Sequence, residues 1–154
     1  MSDTKAELQK IYKDALSDYN PSIDADGDVT FRHPDFGHFF ISIDSDGDPE
    51  YFRMVFPIFA DDQQLGLGKV DLLELANEVN SLVKGVKMTV RYDSNDRTWN
   101  VSAQVEAFIA PPDTNPDAEL VKKIIRRYIS AIRTGVTRFV TEARKRKSDV
   151  GDSI

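Results

Sequence analysis

The sequence predicts an α+β domain in the order helix, three strands, helix, two strands, helix, with an antiparallel sheet carrying its helices mainly on one face. Three observations carry that expectation. Apolar residues recur at helical spacing in three separated runs, and they alternate with period two in five others. Clusters of Gly, Asp, Asn and Pro punctuate every boundary between runs. The strands come in consecutive groups, with none of the strand and crossover-helix alternation that builds a parallel sheet.

Residues 3–17, DTKAELQKIYKDALS, place Leu8, Ile11, Tyr12, Ala15 and Leu16 on one helical face, and the Asn20-Pro21 pair ends the run. DVTFRH, GHFFISID and EYFRMVFPIFA then alternate as a three-stranded meander. Phe52, Met54, Phe56 and Ile58 share one face of its third strand, and Pro57 marks a bulge or an edge because it has no N–H to donate. Residues 69–84 carry Leu72, Leu75, Ala76, Val79, Leu82 and Val83 along one stripe, and Gly85 stands where a left-handed terminus belongs. VKMTVRY and TWNVSAQVEAFIA form a hairpin across a DSNDR turn, with Met88, Val90 and Tyr92 facing one way and Trp99, Val101, Ala103 and Val105 doing likewise. Asn115 is positioned to cap, and Pro116 to open, a long helix buried along Val121, Ile125, Tyr128, Ile132, Val136 and Phe139. Residues 1–147 thus read as one domain, and 148–154 as a frayed tail.

With 154 residues the chain is long enough to hold a core unaided. The absence of cysteine excludes disulfides, thiol catalysis and zinc-thiolate sites. No apolar run approaches the length of a membrane helix, and MSDTKAELQK lacks the basic flank and apolar stretch of a secretory signal, so no membrane partner and a cytoplasmic location are expected. The net charge of -6 divides unevenly: from Pro116 onward 10 Lys+Arg oppose 5 Asp+Glu (+5), while the rest has 10 against 21 (-11). An acidic body argues against nucleic acid as a partner. The basic side chains of the last helix, Lys122, Arg126, Arg133 and Arg144 on one flank and Lys123, Arg127, Arg138 and Lys145 on the other, read as a solvated face.

Two strings, SIDADGD at 22–28 and SIDSDGD at 42–48, nearly repeat. Against a calcium loop of the EF-hand kind, Asp24, Asp26, Gly27 and Asp28 match its front half. The closing bidentate glutamate is replaced by His33 in the first copy and Arg53 in the second. Asp-Gly supplies the positive dihedrals of a tight reversal, so the strings read first as turns. The second reading keeps calcium: the two turns fall at one end of a meander, where Asp24, Asp26, Asp28, Asp44, Asp46 and Asp48 would share a neighbourhood. The two histidines, His33 and His38, flank a turn across which they could face each other with Asp35, which falls short of a zinc ligand set. No cofactor is called for, and no nucleophile and base stand in a recognisable pattern. GLGKVD at 66–71 lacks the remaining residues of a phosphate loop and reads as loop and helix start.

The strands are more apolar than one buried face needs. Tyr51, Val55 and Phe59 fall opposite the inward set, joined by Phe40, and an aromatic outer face of this kind fits a homodimer or a peptide-binding surface. Asn77 and Asn80 are poor helix residues, expected to bond the backbone of a neighbouring strand or loop.

The order of elements, together with DLLELANEVNSLVKGVKMTVRYDSNDRTWNVSAQVEAF, resembles the type III secretion chaperone-like superfamily, especially its YbjN-like branch of bacterial sensory transduction regulators. The resemblance implies a small cytoplasmic protein, commonly dimeric, that binds other polypeptides and performs no chemistry. Its partner-binding surface would include Phe40, Tyr51, Val55 and Phe59 of the sheet and Leu73, Asn77 and Asn80 of the second helix. The expectation is therefore a non-enzymatic module that binds a polypeptide as a homodimer; the alternative is a calcium-responsive protein using the two acidic loops.

Overall fold

The computed structural model describes residues 2–43 and 47–151. The helices are α1 (Ser2–Ala15), α2 (Asp62–Leu65), α3 (Lys69–Leu82) and α4 (Ala118–Gly151), and the strands are β1 (Ser22–Ile23), β2 (Val29–His33), β3 (Gly37–Ile41), β4 (Tyr51–Asp61), β5 (Lys87–Asp93) and β6 (Thr98–Phe108). They form an α+β fold around one six-stranded antiparallel sheet of order β1-β2-β3-β4-β6-β5. Contacts divide the chain into two compact units, Met1–Phe56 with Val105–Ser130, and Pro57–Gln104 with Ala131–Ile154. β4, β6 and α4 contribute residues to both.

In the first unit the core is aromatic. Tyr12 of α1 lies 5.7 Å from Phe52, which stacks on Tyr128 of α4 at 5.3 Å. Phe31 and Phe39, register partners across β2 and β3, stack at 5.1 Å, and Phe56 joins them 4.8 Å from Phe39. Leu8, Leu16, Ile41, Met54, Val121 and Ile125 are buried beside these rings, each contributing roughly 1.5–3 kcal/mol. The Tyr12 hydroxyl is buried with no hydrogen-bond partner among the described residues, and desolvation raises its pKa, so the phenol stays neutral. Glu50 holds the segment after β6: its backbone carbonyl accepts from Ile109 N–H at 2.9 Å and its carboxylate from Asp113 N–H at 3.2 Å.

In the second unit Leu72, Leu75, Ala76 and Val79 of α3, Met88, Val101 and Ala103 of the hairpin, and Ile132, Val136 and Phe139 of α4 are buried together. Gly135 permits the close approach of helix to hairpin, because a Cβ there would stand 2.7 Å from Met88 Cε. Arg146 reaches three carboxylates of α3, Asp71 at 3.7 Å, Glu74 at 3.1 Å and Glu78 at 3.5 Å, which share one face at helical spacing.

Several details differ from the sequence expectations or decide between them: a short helix, α2, precedes α3, and α3 ends at Leu82, which is 54% exposed, with Val83 and not Gly85 at its cap. A two-residue strand, β1, precedes the meander and pairs with β2, Ser22 opposite Thr30. The cap of α4 is Asp117, whose carboxylate accepts from Leu120 N–H at 2.8 Å; Asn115 bonds Glu7 instead. α4 continues through Ser148 to Gly151, where fraying was expected. Finally, β4 lies between β3 and β6, so Pro57 marks a bulge and not an edge. There Ile58 adopts φ 43°, and its N–H donates to Ser102 Oγ at 2.9 Å. A β-branched residue in the left-handed region costs about 1–2 kcal/mol. The bond to Ser102 offsets about 1 kcal/mol of that cost.

Candidate interaction surfaces

The outer face of the sheet is less open than its sequence implied. Phe40 and Val55 are register partners, as the alternation requires, yet Val55 is only 5% exposed and Phe40 and Tyr51 are half-buried. Arg53 and Glu106 form an ion pair across this face at 3.5 Å. Phe59 does not belong to it. The bulge reverses the alternation and sets the ring edge-on to Phe139 of α4 at 5.5 Å. The exposed aromatic here is Phe108, 71% accessible and 5.6 Å from Tyr51. Its exposure was not legible because the end of a strand carries no face preference of its own.

The first acidic string is a turn, closing the β1–β2 hairpin. Asp24 Oδ1 accepts from the N–H groups of Asp26 and Asp28, both at 3.0 Å, and Gly27 sits at φ 87°. Asp28 Oδ1 accepts from Ile43 N–H at 2.8 Å, which ties this turn to the end of β3 as the meander geometry anticipated. From α1, Lys5 and Gln9 donate to the carbonyls of Asp26 and Gly27. Asp26 and Asp48 are exposed, and Asp44 and Asp46 lie outside the described residues. Among the described residues no three His, Cys, Asp or Glu side chains gather as metal ligands.

The histidines do not face each other. His33 is opposite Gly37 and His38 opposite Arg32, so the rings point to opposite faces of the hairpin. His33 Nδ1 accepts from Asp35 N–H at 3.2 Å and its ring lies 5.5 Å from Tyr19. On α4 the eight basic side chains of the two flanks are exposed, several in surface ion pairs: Arg126 with Asp18, and Arg138 and Lys145 with Glu142.

Along α3 the exposed side carries Val70, 65% accessible, and Leu73, 43% accessible, in line with exposed Asn77. Gly68 caps the helix start and Lys69 places its ammonium 4.8 Å from the Trp99 ring centroid, so GLGKVD is a loop and a helix start. Asn80 bonds backbone, as expected; Asn77, expected to do the same, is exposed and has no such bond among the described residues. The Asn80 Oδ1 accepts from Met88 N–H at 2.6 Å and its Nδ2 donates to Met88 C=O at 3.2 Å. β5 is the outermost strand, and the carboxamide meets it as a further strand would. On the β5–β6 hairpin a shallow groove of about 320 Å³ is lined by Ile58, Arg91, Tyr92, Asn100 and Ser102 among others.

No helix among the described residues is long and apolar enough to cross a membrane. No protein-family model, curated protein or solved structure matches the chain. Its surfaces therefore carry the functional argument alone.

Proposed function

We propose that the chain is a non-enzymatic module that binds a polypeptide partner and acts as a homodimer in the cytoplasm. The observation that carries this reading is the exposed apolar pair Val70 and Leu73 on α3, beside Asn77. Apolar side chains in line on a helix, next to a carboxamide that has no partner among the described residues, fit an extended or helical peptide better than they fit water. The same reading accounts for a molecule whose histidines diverge and whose buried aromatics serve the core. The likeness to secretion chaperone-like proteins belongs with it, resting on the order of elements and the segment from α3 into the β5–β6 hairpin.

The test is crosslinking of tagged protein in its host, with the crosslinked sites mapped. The wild type should retain a polypeptide crosslinked near Val70–Asn77, and Val70→Asp with Leu73→Asp should lose it while melting at an unchanged temperature. Retention that survives the double change, or no retained polypeptide at all, contradicts the proposal.

A further inference from the structure

The Asn80 bonds to Met88 reveal which way the edge of β5 faces. Backbone groups of an antiparallel strand alternate, one residue bonding its neighbour and the next aiming N–H and C=O outward. Met88 gives its pair to Asn80, so it is an outward residue. In the unbroken register from Lys87 opposite Gln104 to Asp93 opposite Thr98, Val90 and Tyr92 are outward residues too. Among the described residues no side chain meets their outward groups as Asn80 meets those of Met88. Arg91 is exposed, and Tyr92 is 52% accessible.

We propose that this edge pairs antiparallel with the same edge of a second copy, about a twofold axis at Tyr92, with Arg91 of each copy facing Asp93 of the other. The inference rests on the homodimer half of the proposed function and names its surface. Self-complementary charge favours a second copy as the occupant. The stretch Arg91-Tyr92-Asp93 has opposite charges one residue either side of its centre, and an antiparallel twofold pairing brings i-1 of one strand against i+1 of the other. Tyr92 then exchanges both backbone bonds with its counterpart. The Arg91–Asp93 positions become the closer, non-hydrogen-bonded pairs in which side chains meet directly. Asp93 is already oriented for this: its Oδ1 accepts from Asn95 N–H at 2.8 Å within the turn, which leaves Oδ2 for a guanidinium.

Neighbouring registers fail. An axis at Val90 needs the outward groups of Met88, which Asn80 occupies. An axis at Arg91 sets one guanidinium against the other. Asn80 thus ends the free edge where the pairing has to stop.

Sedimentation equilibrium over a range of concentrations tests this. The wild type should dimerise; Arg91→Glu, which sets two carboxylates together, should raise the dissociation constant about tenfold or more. Asp93→Asn keeps the turn acceptor and removes the pair, so it should weaken the dimer independently. Arg91→Glu combined with Asp93→Asn should recover part of what Arg91→Glu alone loses, which no general loss of folding would produce. Thr89→Glu, on the same face but outside the pairing, should change nothing. A dimeric wild type unaffected by Arg91→Glu and Asp93→Asn, or weakened equally by Thr89→Glu, overturns this surface and leaves the homodimer reading standing. A strictly monomeric wild type removes both.

Discussion

The sheet has two outer strands, and they are finished differently. β1 is two residues long, ends in a turn whose own carboxylate binds two backbone N–H groups, and is tied at that turn by Lys5 and Gln9 of α1. β5 is seven residues long, and α3 closes it at one residue through Asn80. A short edge held by local bonds offers little to an incoming strand. A long edge capped at one end offers a template of defined length. The difference points to β5 as the working edge and to β1 as a closed one.

Changing the cap of β5 should have the largest effect. Asn80→Leu leaves the Met88 N–H and C=O without their partner beside a packed helix, and urea unfolding should show a loss of about 2 kcal/mol. A loss near zero would mean that water replaces the carboxamide freely and that Asn80 does not define the edge. At the other edge Asp24→Ala removes two exposed turn bonds and should cost about 1 kcal/mol in the same measurement. If Asp24→Ala cost more than Asn80→Leu, the contrast between the edges would be reversed. Ser22→Ala, which removes the exposed Ser22–Thr30 hydroxyl bond at 2.9 Å, should fall within about 0.5 kcal/mol of wild type. Smallest of all is the response to calcium. With Asp24 and Asp28 each accepting backbone N–H groups, millimolar calcium should leave the melting temperature unchanged. A rise that Asp24→Ala abolishes would make the β1 turn a cation site.

Much of this architecture was legible because it follows from period and punctuation. The stripes of α1 and α4, that of α3 as far as Val79, the β5–β6 register and the turn chemistry of Asp24 all express local rules. Two features were not local. The bulge at Pro57 shifts the alternation by one residue, so Phe59, outward by counting, packs against Phe139 of α4. Counting by two cannot register a residue that the ladder skips. The Arg146 cluster joins residues about seventy positions apart, and its three carboxylates on α3 gave no sign of a shared partner. The candidate surface was half legible. Asn80 stood out as a helix residue needing a backbone partner, but its position at the edge depends on strand order, which no single strand encodes.

Amide hydrogen exchange, followed residue by residue along β5 at low and high protein concentration, distinguishes an open edge from a closed one. Met88 should be protected at every concentration, because Asn80 holds it within the chain; Tyr92 should exchange freely in dilute solution and become protected as the protein is concentrated. A Tyr92 amide already slow in dilute solution, or one that stays fast at every concentration, would contradict an edge left open for a second strand.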